Sequence, residues 1–275
     1  MNIRWNLSGM EIERESFRVI ESECDLHKRM PAPEWRVARR LIHTTADMSI
    51  ADTLVFRHDA IGSGLCALRA GAPIFCDSKM IRAGLSIERL KRLNPGYGPE
   101  SLHCHISDQD VIDRAKLEGH TRALCSAEKA RPMLDGAIVL IGNAPLALAR
   151  IARYALEEGV RPALVVGMPV GFVNVVESKE LLAQCDVPQI VLEGRRGGSP
   201  LAVATLHAVI AFCCFGKTAV RSSRTCRVFA RIIIHIGRGL CATRRIPVHI
   251  GRSLCAARRM SFHIGRGLHI SAVRL

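Results

Sequence analysis

The sequence lacks the marks of several common protein classes. Its eleven cysteines include no C-x-x-C pair, and their spacing indicates neither a zinc site nor a disulfide framework. No charged start followed by an apolar run occurs near residue 1, so no secretory signal is predicted. The longest apolar run covers residues 201–215 and contains His207. This run is too short for a membrane span, and we expect a buried helix in a cytoplasmic protein without membrane partners.

Lysine, aspartate and glutamate are absent from residue 218 onward, where twelve arginines occur. The whole chain of 275 residues has a net charge of +14, so the part before this tail has a net charge of only +2. The basic character therefore belongs to an appendage. A protein that binds nucleic acid through its folded part is expected to distribute arginine there as well.

The tail contains a 14-residue repeat with copies that begin at His235, His249 and His263. One hypothesis is a basic arm that binds nucleic acid through arginine. Aromatic residues that could stack on bases are limited to Phe229 and Phe262, which argues against sequence-specific RNA recognition. The interpretation we favour is a weakly ordered or helical tail that arose from translated repetitive DNA and has no evolved function.

Apolar strands alternate with helices in the second half of the folded part. Residues 137–141 form a continuous apolar run, and a turn at Gly142 leads into a helical pattern that ends at Gly159. The alternation predicts a three-layer α/β sandwich whose mostly parallel central sheet is flanked by helices. The turn lacks the G-x-G-x-x-G fingerprint of dinucleotide sites, although its free N–H groups suit an anionic ligand. We place this α/β domain at residues 1–216 and the basic C-terminal tail at 217–275.

Residues 34–56 contain the first candidate for chemistry. Apolar residues at helical spacing predict a helix that ends near His43, and a polar turn and a second helix-like run follow. Arg39 and Arg40 lie one turn before His43. Taken alone, the segment indicates a solvated basic helix face with an incidental histidine.

Nine short motifs change that interpretation because of their order. They are EIERESF, LIHTTAD, ADTLVF, LRAGAPIFCD, TR, AIVLIGNAPLAL, GMPVGFV, ESKE and GRRGGS. In this order, over about residues 8–212, the chain resembles the precorrin-8X / cobalt-precorrin-8 methylmutase family of cobalamin biosynthesis. Many relatives have Gly-Ala-Ala at residues 174–176, where this chain has Asn-Val-Val.

The resemblance implies an isomerase with a corrinoid substrate. A methyl group would move from C-11 to C-12 of the ring in a 1,5-sigmatropic shift, which gives cobyrinic acid or hydrogenobyrinic acid. It implies no cofactor and no metal site in the protein, because any cobalt is carried by the substrate. It also implies a homodimer with active sites at the subunit interface. Residues 44–47 and 51–52 are more similar to the cobalt-dependent branch of the family.

The resemblance also implies a set of site residues. His43 matches the catalytic histidine of the family, and Ser16 matches a position that contacts substrate. The further candidates for substrate binding are Arg122, Asn143, Arg195, Gly197, Gly198 and Ser199. A guanidinium such as that of Arg122 fits a carboxylate bidentately, although a surface salt bridge is the alternative. We predict Ser199 as the N-cap of the last helix, after a glycine-rich loop that suits a carboxylate or serves only as a tight turn.

Two other functional classes stay open at this point. A nucleotide-binding Rossmann-like enzyme would share the alternation of strands and helices, although no phosphate fingerprint follows the strand at residues 137–141. Nucleic-acid binding through the basic tail would explain the isoelectric point of about 9.8.

Overall fold

The structure is a computed structural model that describes residues 3–212 and the backbone of residues 259–264 and 268–273. Internal contacts divide the chain into two units, Met1–Ile233 and Ile234–Leu275, which are described separately. The boundary that we predict at residues 216 and 217 lies outside the described residues. The first two copies of the repeat, up to residue 258, also lie outside them.

Residues 3–212 form ten α-helices. These are α1 Gly9–Glu23, α2 Ala32–Thr45, α3 Ala60–Ala70, α4 Lys79–Gly84, α5 Ile87–Lys91, α6 Gln109–Glu118, α7 Arg122–Lys129, α8 Pro145–Glu157, α9 Val175–Ala183 and α10 Ser199–Ala211. Short 3-10 helices cover Asp25–Lys28, Met48–Thr53, Pro99–Ser101 and Arg131–Met133. No helix within these residues is long and apolar enough to cross a membrane.

Six strands form the central sheet of the first unit. They are β1 Leu54–Arg57, β2 Ile74–Cys76, β3 Leu102–His103, β4 Ile138–Ile141, β5 Leu164–Gly167 and β6 Gln189–Leu192. The spatial order is β1-β6-β5-β4-β2-β3, and every neighbouring pair is parallel except β1 with β6.

Side chains that alternate along the strands contribute to two cores, one on each face of the sheet. In β4, Ile138 and Leu140 pack with α2, α3, α4 and α10, whereas Val139 and Ile141 pack with α8. All four are fully buried, as a strand covered on both faces requires. The predicted three-layer α/β sandwich with a mostly parallel sheet is confirmed.

The first two helices have clear local signals at their ends. The Ser8 side chain accepts a hydrogen bond from the Glu11 N–H, and the Glu11 carboxylate accepts one from the Ser8 N–H at 2.8 Å. Helix α2 ends at Ala46, whose φ of 54° is left-handed. His43 therefore lies in the last turn of α2.

Two predicted elements differ in the structure. The second helix-like run after His43 is a 3-10 helix followed by β1, because Leu54 pairs with Leu192 at the sheet edge. The alternating pattern of residues 102–106 predicts a strand, but the observed strand stops at His103. The chain turns there, where the Asp108 N–H donates to the carbonyl of His105 at 3.0 Å.

The second unit contains a two-stranded antiparallel pair. Strand β7, Arg259–Ile264, pairs with β8, Leu268–Val273, and Phe262 is opposite Ile270. Strand pairing was not among our expectations for this segment.

Candidate active site

His43 and Ser16 form a hydrogen-bonded pair between α2 and α1. The Ser16 Oγ lies 2.7 Å from the His43 Nδ1, and both residues are half-buried. Within residues 3–212, the other ring nitrogen, Nε2, makes no hydrogen bond. The arrangement therefore fixes the ring through one nitrogen and leaves the other for a ligand.

Phe17 packs against the His43 ring, edge to face, with 5.4 Å between ring centroids. The Arg39 guanidinium lies 4.2 Å above the Phe17 ring, and Arg39 and Arg40 each form an ion pair with a glutamate of α1. Both arginines are half-buried between the helices. The interpretation of this face as solvated is therefore wrong for these two residues, whose charges hold α1 against α2.

A cavity of about 510 Å³ lies beside the last turn of α2. It is lined by Glu13, Arg40, Thr44, Met80, Gly84, Arg89, Pro200, Val203, Ala204 and His207. Its volume falls within the usual range of small-molecule sites, about 300–1,000 Å³. His43 is not part of this lining, but Arg40, one turn before it, and Thr44, directly after it, both are.

His207 is a neutral group in the wall of this cavity. Its Nε2 accepts a 3.1 Å hydrogen bond from the Ser86 N–H, so the ring hydrogen resides on Nδ1. Burial lowers the pKa of His207 to about 4, and the charges of Arg89 and Arg40 act in the same direction. The imidazole is therefore uncharged at neutral pH.

Lys179 holds the glycine-rich loop at residues 194–198 in place. Its Nζ donates to the carbonyls of Gly194 at 2.8 Å and Arg196 at 2.7 Å, and the side chain is only 3% exposed. Burial lowers the pKa of Lys179 to about 8. Gly197 is required here because a Cβ would lie 2.2 Å from the Met168 carbonyl oxygen.

Arg196 joins this loop to the turn after His43. Its Nη1 lies 2.7 Å from both the Asp47 carboxylate and the Ser49 hydroxyl. Asp47 has a lowered pKa because the Ser49 hydroxyl donates to its carboxylate. Arg195, which we predict to bind substrate, is exposed and lies 5.5 Å from the Phe172 ring centroid.

The start of α10 corrects one prediction. Gly198, not Ser199, is the N-cap, because its φ of 134° is accessible to glycine and rarely to other residues. The Gly198 N–H donates to the Met168 carbonyl at 2.8 Å. Ser199 is buried, and its hydroxyl lies 2.9 Å from that of Ser78.

The turn after β4 corrects a second prediction. We expect its N–H groups to suit an anionic ligand, but the buried Asp77 carboxylate already accepts from Gly142, Asn143 and Ala144 at 3.2, 2.8 and 2.8 Å. A phosphate or substrate carboxylate therefore cannot accept from these three N–H groups, and substrate binding by Asn143 stays a prediction. The Asn143 backbone serves Asp77, while the residue itself is exposed.

Arg122 is not brought near His43 within this chain. It begins α7, which packs with α8 on the sheet face opposite to α2. There it lines a separate cavity of about 300 Å³ with Lys116 and His120. Its role in substrate binding stays a prediction.

Possible metal ligands within residues 3–212 occur together in one place, near Arg122. Single atoms of Glu118, His120 and Cys125 lie within 4.8 Å of one another. Glu118 is already paired with both Arg114 and His120.

A sequence model of the precorrin-8X methylmutase family matches residues 11–212. The chain belongs to this family. It is 44% identical over 210 residues to the cobalt-precorrin-8 methylmutase of Leptospira interrogans, covering 74% of this chain and 93% of the relative. It is 38% identical over 203 residues to the precorrin-8X methylmutase of Pseudomonas aeruginosa, covering 73% and 94%.

A solved structure agrees with the sequence relatives. The precorrin-8X methylmutase of Thermus thermophilus superposes with a TM-score of 0.68 at 43% identity, covering 77% of this chain and all of that structure. Methylmutases are isomerases, because the methyl group moves within one molecule. The suspected family and enzyme class are confirmed, and the Rossmann-like nucleotide-binding alternative is not supported.

The sequence does not reveal three residues that hold the turns and loop around the candidate site. Asp77, Lys179 and Arg196 all lie within the quoted motifs, but the sequence does not show what each contacts. From the sequence, Asp77 is expected only at the start of a helix, and Lys179 is expected on a helix. The available signal was a charged residue inside an otherwise apolar and glycine-rich motif.

Proposed function

We propose that this chain catalyses the C-11 to C-12 methyl shift of cobalt-precorrin-8, with His43 as the group that acts on the ring. The observation that carries the proposal is the Ser16–His43 pair, in which His43 directly precedes Thr44 of the 510 Å³ cavity lining. The names of the relatives support the substrate class. The corresponding product is cobyrinic acid.

One direction of the Ser16–His43 hydrogen bond gives His43 a donor role. When the Ser16 hydroxyl donates to Nδ1, the neutral ring has its hydrogen on Nε2. When the ring is protonated, Nδ1 donates to Ser16 and Nε2 still has a hydrogen. In both states Nε2–H offers a positive edge to the conjugated ring as the methyl group migrates.

The reaction is balanced within the substrate. One carbon–carbon bond breaks at C-11 and one forms at C-12, so no methyl donor and no redox cofactor take part in the proposal. The protein binds and orients the ring, and His43 stabilises the shifted charge. Cobalt, where present, belongs to the substrate.

We prefer cobalt-precorrin-8 to the metal-free precorrin-8X as substrate. Residues 44–47 read Thr-Thr-Ala-Asp, and the Leptospira relative has the cobalt substrate in its name. Turnover of the two substrates, followed by visible absorbance, tests this choice. A higher kcat/KM for the metal-free ring would reverse it.

The assembly that we propose is a cytoplasmic homodimer. Phe172 and Val173 are 83% and 73% exposed beside the glycine-rich loop, which supports an apolar contact between subunits. Light scattering after gel filtration should give twice the chain mass of 30.2 kDa. A fully active monomer at high dilution would contradict the dimer. The arginine-rich tail is not needed in this proposal, and any nucleic-acid binding through it stays a weak alternative.

The decisive experiment replaces the imidazole. His43→Ala should lower kcat at least about 100-fold, the usual contribution of a general acid or base, while the product still binds. Conversion is measured by absorbance, and product binding by titration. A variant that retains near wild-type turnover would remove His43 from the mechanism.

A further inference from the structure

The cavity beside α2 contains a positive charge that is not neutralised within residues 3–212. Arg89 lines the cavity and is half-buried, yet it has no ion pair with any described residue. Arg40, in the same wall, is paired with Glu13. The lining therefore has two guanidinium groups and one carboxylate, and the charge left over is that of Arg89.

Glu13 is the acidic residue in the lining of this cavity, and among the described residues the lining contains no second carboxylate. His207 lines the same cavity and is neutral, since burial and the nearby charge of Arg89 both lower its pKa. Its Nε2 accepts from the Ser86 N–H, and its Nδ1 has the hydrogen. Glu13 is engaged with Arg40. An anion that enters the cavity would therefore find a free guanidinium and meet no uncompensated carboxylate.

The remaining wall is mainly apolar. Met80 on α4 and Val203 and Ala204 on α10 supply it, and Met80 is 63% exposed. Gly84 allows the close approach of these helices, since a Cβ there would lie 2.9 Å from a Val203 methyl carbon. Such a lining fits a carboxylate attached to an apolar frame better than a small hydrated anion, which would leave the apolar wall in water.

We propose that Arg89 binds a peripheral carboxylate of the corrinoid, which makes this cavity a carboxylate subsite next to the last turns of α2, the helix that contains His43. The inference rests on the proposed function, because the corrinoid supplies the carboxylates. A guanidinium binds a carboxylate through two parallel N–H···O hydrogen bonds, which fixes the orientation of the ring as well as its affinity. Arg89 thereby positions the substrate, and His43 acts on it.

The test is an absorbance titration of the full-length protein with cobyrinic acid. Arg89→Gln should raise the Kd about 10- to 100-fold, as expected for loss of a charge-assisted pair. The Kd of Arg89→Lys should lie between those of wild type and Arg89→Gln, since lysine keeps the charge but lacks the planar guanidinium that binds a carboxylate through two hydrogen bonds. Arg92→Gln is the matched control, because Arg92 is exposed directly after the same short helix and does not line the cavity.

A second ligand distinguishes the loss of the Arg89–carboxylate contact from a disturbed fold of the Arg89→Gln variant. The same corrinoid with its carboxylates converted to amides should bind wild type and Arg89→Gln with equal Kd. Equal Kd values of the two proteins for cobyrinic acid, or an equal loss for both ligands, would overturn the subsite. A wild-type protein that binds neither ligand and converts no substrate would overturn the proposed function instead.

Discussion

The backbone N–H of Asn143 donates a 2.8 Å hydrogen bond to the buried carboxylate of Asp77, 66 residues earlier in the chain. Gly142 and Ala144 donate to the same carboxylate. In nucleotide-binding folds, the corresponding turn after a parallel strand receives a phosphate. Here the Asp77 side chain accepts from these N–H groups, so they support the end of β4 and are not available to a ligand.

Replacement of Asp77 should therefore affect stability first. Asp77→Ala leaves three N–H groups without their acceptor at a site that is 2% exposed. We expect the free energy of unfolding to fall by about 2–5 kcal/mol, measured by urea denaturation. Asp113→Ala is the control, because that exposed carboxylate binds only Gln109 and should change stability by no more than about 0.5 kcal/mol. Equal midpoints for the two variants would refute the structural role of Asp77.

The Ser16–His43 contact predicts a kinetic effect without a stability effect. Ser16→Ala removes the 2.7 Å hydrogen bond that orients the imidazole, and kcat should fall about tenfold, equivalent to roughly 1.4 kcal/mol. The thermal midpoint should stay within a few degrees of wild type.

Ser22→Ala is the control on the same helix. Its hydroxyl binds the Val19 carbonyl at an exposed position, so its kcat should equal that of wild type. If both serine variants lose activity equally, the effect belongs to the helix and not to the contact with His43.

Local signals account for the parts of the fold that the sequence predicts. The apolar run of β4, its glycine turn and α8 are adjacent in the chain, so their pattern can be read directly. Strand β1 was misread because its partner, β6, is far away: Leu54 pairs with Leu192. A four-residue strand at a sheet edge is decided by that pairing and not by its own periodicity.

In the candidate site, too, the sequence predicted which residues take part but not which distant residues meet. His43 and Ser16 came from motifs, and the structure places them in contact. Arg122 came from the same reasoning, yet a single subunit places it on the opposite face of the sheet. Glu177 and Glu180 are exposed, and the sequence gives no reason to expect that Lys179 between them is buried. Its burial depends on the loop at residues 194–198, which is distant in the sequence and packs over it.

The close approach at Gly197 predicts intolerance of any side chain. A Cβ would lie 2.2 Å from the Met168 carbonyl oxygen and 2.5 Å from that of Pro169, and both contacts are to backbone. Gly197→Ala should therefore displace the loop and lower the free energy of unfolding by about 1–3 kcal/mol. Gly9→Ala, which would meet nothing within 4 Å, should leave stability unchanged or slightly raised. A Gly197→Ala protein as stable as wild type would show that the loop can shift to accommodate the methyl group without lowering the free energy of unfolding.

Lys179 predicts a pH dependence of stability with a definite sign. Its pKa is about 8 in the folded protein against 10.5 for an exposed lysine, because burial disfavours the ammonium form. Between these values the unfolded chain binds the proton and the folded chain does not, so stability rises as the pH increases from 8 to 10.5. The rise should be about 3 kcal/mol, at roughly 1.4 kcal/mol per pH unit.

Neutral lysine keeps two N–H groups for the carbonyls of Gly194 and Arg196, so the loop stays bound to Lys179 across this pH range. Lys179→Met lacks the titrating group, and its curve of unfolding free energy against pH should lose this rise. Parallel curves for the two proteins across that interval would show that Lys179 is protonated in both states.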